Sequence, residues 1–132
     1  MHAPLATLAL FALLVQSTNT VPGRVVTLAL PHALHEGETT WIEVRVGVLE
    51  RGAEIEIITT AGQSLGVISP FGIRSGREAG TYTVPLPADA ISDDRVALRV
   101  LLNHDGHQRA PTAKEVKSIR VKVMPAGRST PG

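Results

Sequence analysis

The chain carries five histidines, and apart from His2 each falls in an H-x-x-H pair: His32-Ala33-Leu34-His35 and His104-Asp105-Gly106-His107. Neutral imidazoles are common ligands for zinc, copper and nickel, and this spacing can bring two rings onto one ion. The candidate metal ligands are therefore His32, His35, His104 and His107. The ordinary alternative is four exposed loop histidines. Carboxylates beside the first pair, Glu36 and Glu38, could complete a two-histidine surface site. Cysteine is absent, which removes thiolate metal sites, thiol nucleophiles and a disulfide framework.

One serine needs an answer before catalysis is set aside. Gly62-Gln63-Ser64-Leu65-Gly66 has the G-x-S-x-G spacing of a nucleophile elbow. That device requires a strand before the turn and a helix after it. The residues that follow, Val67-Ile68-Ser69-Pro70, read instead as a short strand ended by proline. The chain contains no phosphate loop, no H-E-x-x-H and no glycosidase-like carboxylate pair. The expectation is a protein that is not an enzyme and uses no cofactor.

A second kind of chemistry is contact with a partner. Phe71 and Ile73 lie in the segment Ser69-Pro70-Phe71-Gly72-Ile73-Arg74-Ser75-Gly76-Arg77, where apolar and arginine side chains alternate with Gly and Pro. Such residues on a loop are typical interface anchors. The candidate partner-binding set is Phe71, Ile73, Arg74 and Arg77, with Arg109 near them. The competing role is internal, with Phe71 plugging one end of the fold and Ile73 covering it. Trp41, the single tryptophan, falls on the outward face of its predicted strand. There it could hold a sugar, although core burial by a register shift, or cover from the terminal segment, is the expected arrangement.

The elements that must position these residues repeat with a period of two. Ile42, Val44, Val46 and Val48 alternate with Trp41, Glu43, Arg45 and Gly47, the pattern of a half-buried strand. Glu54–Thr59 repeats it, and further strands are predicted at Arg24–Leu30, Ser64–Ser69, Thr81–Leu86, Arg95–Leu102 and Ser118–Met124. Turn residues punctuate them regularly, among them Gly37, Gly52, Ala61-Gly62, Pro70 and Asp105-Gly106. About seven short strands with such spacing predict an all-β antiparallel sandwich. Thr112-Ala113-Lys114-Glu115 matches a capping box and predicts one short helical turn before the last strand.

Gly80-Thr81-Tyr82-Thr83-Val84 is similar to the start of a late strand in immunoglobulin-like and fibronectin type III-like domains. In those domains a tyrosine at this place often bonds back to the preceding corner. The resemblance implies an immunoglobulin-like sandwich and carries no activity with it.

Strand parity then sorts the loops into two ends. Counted up and down, Pro31–Thr39 and Asn103–Lys117 fall at opposite ends of the domain. A seven-residue strand is roughly 23 Å long, far beyond bonds of about 2 Å to a shared metal. One end would gather His32, His35, Glu36, Glu38, Gln63, Asp89, Asp93 and Asp94. This acidic rim could hold calcium, but it lacks a fixed ligand spacing, and Ser92-Asp93-Asp94 reads as an ordinary turn. The opposite end would gather Arg51, Arg74, Arg77, Arg109 and Lys114 around Phe71.

The apolar run Leu5–Val15 ends at Gln16-Ser17-Thr18. As a helix it would span about 16 Å, half a bilayer core, which fits the apolar part of a secretory leader rather than an anchor. Residues 1–17 are accordingly read as a signal peptide, 18–124 as the sandwich and 125–132 as a flexible tail rich in Pro, Gly, Ser and Thr. A formal net charge of +1 over 132 residues offers no basic face for nucleic acid.

The expected protein is an exported binding or structural module, periplasmic or secreted. It would have a protein partner in a larger envelope or secreted assembly and no stable membrane span once its leader is removed. The alternative is a small periplasmic metal-binding protein for copper, zinc or calcium, built on the H-x-x-H pairs.

Overall fold

Alternation of β-branched and polar residues produces strands because each pleat sends successive side chains to opposite faces. The computed structural model describes residues 23–73 and 76–125. Within them lie eight strands: β1 (Arg24–Ala29), β2 (Glu38–Val48), β3 (Glu54–Thr59), β4 (Ser64–Ile68), β5 (Glu78–Leu86), β6 (Arg95–His104), β7 (His107–Arg109) and β8 (Val116–Pro125). A single 3₁₀ turn, Ala88–Ala90, follows β5. The predicted leader, Arg74 and the tail beyond Pro125 lie outside the described residues.

The strands form two antiparallel sheets stacked as a sandwich. One runs in the order β1-β6-β3-β4, with β7 added beside β6, and the other in the order β5-β2-β8. The all-β expectation holds. β1 and β7 share one side of β6: β1 covers Arg95 to Val100 and β7 covers Leu102 to His104.

The core lies between the sheets and is wholly aliphatic. Ile42, Val44 and Val46 of β2 face Ile55 and Ile57 of β3 and Leu98, Val100 and Leu102 of β6, all fully buried. Each such side chain contributes roughly 1.5–3 kcal/mol relative to exposure. Two glycines are set by crowding. A Cβ at Gly47 would fall 2.1 Å from the Lys114 carbonyl oxygen, and one at Gly66 would fall 2.9 Å from Val84 Cγ1. Gly66 therefore lets β4 close onto β5. Gly47 lets the turn before β8 lie against β2, where its N–H donates to the Glu115 carbonyl at 2.9 Å.

Three expectations need correction. The stretch Asn103–Lys117, read as one loop, contains β7, joined to β6 by Asp105-Gly106 with both residues at positive φ (52° and 77°). A two-residue turn of this hand matches the twist of paired strands. Trp41 is not in the core. It is half-buried on the outer face of the three-stranded sheet, opposite Pro85 and Lys122, and its indole N–H donates to Thr39 Oγ1 at 3.2 Å. Phe71 does not plug the sandwich, because it is 83% exposed. The aliphatic residues of β2, β3 and β6 already fill the space between the sheets.

Candidate functional site

The loops divide between two ends, as parity requires. The turn Glu50–Ala53, the loop after β4, the β6–β7 hairpin and the Thr112–Glu115 turn share one end. Pro31–Gly37, Thr60–Gln63 and Pro87–Asp94 share the other. The register shows this directly: Ala29 at the end of β1 pairs with Arg95 at the start of β6, whereas Asn103 near the end of β6 pairs with Glu54. From Arg95 to His104 is about 30 Å at the rise of an antiparallel strand. The two histidine pairs stand that far apart and do not meet.

At the Phe71 end, the Glu50–Ala53 turn and the loop after β4 enclose an open cleft of about 480 Å³. Phe71, Ile73 and Arg77 line one side, and Leu49, Arg51 and Ala53 line the other. Proline at position 70 ends β4, because it has no N–H to give to the ladder. Gly72, at φ +77°, then turns the chain so that Phe71 and Ile73 project rather than pack. Ile73 is 43% exposed. Burying a phenylalanine against a partner is worth about 1.5–3 kcal/mol, and Phe71 is the most exposed large apolar side chain among the described residues.

Arg109 lies at the same end but does not line the cleft. Its guanidinium makes two parallel bonds of 2.8 Å to the Glu115 carboxylate. Glu115 also accepts the Thr112 N–H at 2.8 Å, and Thr112 Oγ1 accepts the Glu115 N–H at 3.3 Å, completing the expected capping box. The hydrogen bonds from Arg109 hold the Glu115 carboxyl well below its usual range, at about 2. Arg109 thus braces the turn before β8.

His104 is enclosed on both nitrogens. Its Nδ1 lies 3.2 Å from Glu50, and its Nε2 lies 3.7 Å from Asp105 and 3.1 Å from the Arg51 carbonyl. The two carboxylates flank opposite edges of one ring and cannot converge on a single ion. His107 is its cross-strand neighbour and is exposed.

The other end is different. His32, His35 and Glu38 each turn one ligand-type atom toward the others, all within 4.8 Å of one another. Glu38 is the first residue of β2, half-buried, and its Oε1 accepts the His35 N–H at 2.7 Å. Gly37, at φ +83°, closes the turn in which the Glu38 N–H donates to the His35 carbonyl at 3.1 Å. Among the described residues this is the one group of three or more His, Asp or Glu side chains gathered in this way. Asp89, Asp93 and Asp94 of that end lie elsewhere. Asp93 and Asp94 sit at φ 55° and 58° in the turn closed by reciprocal Ser92–Arg95 bonds. Asp89 and Gln63 border a shallow cleft with Arg95.

Ser64 opens β4 rather than capping a helix, and its hydroxyl donates to Glu56 at 3.5 Å. The Tyr82 hydroxyl donates to the Ala79 carbonyl at 3.0 Å, a bond three residues back along the chain. No helix of the described residues is long and apolar enough to cross a membrane. Compared with known proteins, the chain matches no family model, no curated protein and no solved structure.

Proposed function

We propose that this chain is an exported, non-catalytic binding module, accessory to a larger envelope or secreted assembly, and that it takes a protein partner at the cleft beside Phe71. The observation that carries the reading is the 83% exposure of Phe71 on a loop where Pro70 and Gly72 flank it and present it outward. Arg51 and Arg77 border the same cleft as Ile73 and Pro70. A fitting partner segment offers an apolar side chain flanked by carboxylates, so that the ring is covered while the guanidinium groups find acceptors. Export rests on the apolar run Leu5–Val15 and its polar boundary.

The immunoglobulin-like resemblance enters at the level of architecture. Pairing of the second strand with the fifth and of the third with the sixth is common to this sandwich and to immunoglobulin-like domains. The outer strands differ. In those domains the first strand joins the second and the last joins the sixth; here β1 joins β6 and β8 joins β2.

The test uses a photo-crosslinking residue at position 71 and, as a control, at position 63 at the other end of the domain. Position 71 is expected to give a discrete protein adduct from envelope or secreted fractions, and position 63 none. Phe71→Ala is expected to leave stability within about 0.5 kcal/mol, since the side chain is exposed. It should weaken capture of the identified partner at least tenfold, equivalent to about 1.4 kcal/mol. Equal capture by wild type and Phe71→Ala would sink the proposal.

A further inference from the structure

We infer that His32, His35 and Glu38 form a binding site for a divalent transition-metal ion that takes imidazole, such as Zn²⁺ or Cu²⁺. The inference goes beyond partner binding and does not depend on it, since Phe71 lies at the opposite end of the sandwich.

The tautomer of His32 is set within its own loop. Its Nδ1 lies 2.9 Å from the Ala33 carbonyl oxygen, which can only accept, so Nδ1 carries the proton and donates. In the neutral ring this leaves the lone pair on Nε2, the nitrogen that faces Glu38 Oε2 at 3.9 Å. A backbone carbonyl on the far nitrogen is how metal-binding histidines are commonly oriented. His35 presents Nδ1 at 3.8 Å from Glu38 Oε1. Oε1 accepts the His35 N–H, so Oε2 is the freer of the two carboxylate oxygens for an ion. The two imidazole rings are 5.2 Å apart, centre to centre.

Bonds of about 2.0–2.2 Å in tetrahedral array put ligand atoms roughly 3.4 Å from one another. The observed separations are wider, 3.9 Å from His32 Nε2 to Glu38 Oε2 and up to 4.8 Å across the group. The histidine side chains are 47% and 71% exposed, so small rotations close the difference without disturbing the core. Glu38 supplies the fixed point, anchored at the start of β2 opposite Pro125 of β8. Two nitrogens and one carboxylate oxygen suit zinc, copper or nickel, and are the wrong set for calcium, which takes oxygen. Three protein ligands leave a fourth position open, as in sites where water or an outside donor completes the shell.

The experiment is titration of the untagged full chain with Zn²⁺ and Cu²⁺ by calorimetry, with Trp41 fluorescence as a second signal. Trp41 lies three residues along β2 from Glu38, about 10 Å away, close enough for Cu²⁺ at the site to quench it. One equivalent of ion is expected to bind. At a hundredfold excess over Kd it should raise Tm by on the order of 10 °C. His32→Ala/His35→Ala is expected to abolish both signals. Glu38→Gln, which keeps an acceptor for the His35 N–H, is expected to weaken binding about tenfold or more. His104→Ala/His107→Ala and Phe71→Ala should bind as wild type does. Absence of binding by the wild type would overturn the inference. So would binding that survives in His32→Ala/His35→Ala, or that is lost in His104→Ala/His107→Ala.

Discussion

Asp93 and Asp94 both sit in the left-handed region, at φ 55° and 58°, in a two-residue connection that favours Gly at its second position. A non-glycine residue there costs about 1–2 kcal/mol, whereas glycine costs about 0.5–1 kcal/mol through the freedom it adds to the unfolded chain. Relief of strain outweighs that added freedom. Asp94→Gly is therefore expected to stabilise the domain by about 0.5–1 kcal/mol, measured by urea unfolding at neutral pH. A loss of stability would mean that the aspartate side chain bonds its own turn more strongly than φ alone implies. This turn was legible in the sequence, because Ser-Asp-Asp names both its place and its chemistry. The position of Phe71 was not. An apolar residue in a Gly/Pro loop can fold inward or stand out, and the choice depends on whether residues elsewhere have filled the core. The third member of the metal cluster was only half legible: Glu38 stood among several acidic candidates, and the turn at Gly37 is what selects it.

At the scale of elements, the turn Thr112–Glu115 joins the two sheets and is held by a carboxyl that stays ionised to about pH 2 through its bonds to Arg109. An unfolded glutamate titrates near 4.3, so the folded state binds the proton less readily than the unfolded state does. The stabilisation is complete above the unfolded value and is lost as pH falls from about 4.5 toward about 2. Wild type is thus expected to lose Tm more steeply than Glu115→Gln over that window, with parallel slopes counting against the assignment. At neutral pH, Glu115→Ala should cost about 1–2 kcal/mol through the lost cap and ion pair. The capping box was readable because its donors and acceptors are local in sequence. β7 was not, since three exposed polar residues give no alternation to detect, and only the Asp105-Gly106 turn marked it. β5 begins at Glu78 rather than at the predicted Thr81 for a similar reason. Its first residues pair with Val48 and Val46 across Gly80, which interrupts the alternation and leaves no side-chain signal.

At the scale of the molecule, the up-and-down course of the strands separates two chemical ends, and this was legible because parity survives small errors in strand boundaries. Even the added strand β7 leaves it intact, since it returns only briefly along β6 before the chain crosses to β8. Sites at opposite ends share no side-chain partners, so their energies should add. Asp94→Gly combined with Glu115→Ala is expected to show a coupling below about 0.5 kcal/mol in a double-mutant cycle. A larger coupling would mean that the sheets transmit strain along their length.

The exchange of outer strands has a consequence for the order in which the domain assembles. β2 to β5 can gather around neighbouring segments soon after they emerge, but β1 has one ladder partner, and that partner is β6. Arg24 must wait for Val100, and Ala29 for Arg95. Pairings so distant along the chain form slowly, because the loop must close before any contact rewards it. β1 therefore seats after β2 to β5 although it precedes them in the chain, and β8, whose ladder partner is β2, seats later still. Until β6 arrives, Arg24–Ala29 has no ladder to join, so the five-strand sheet gains that edge only once its centre is in place.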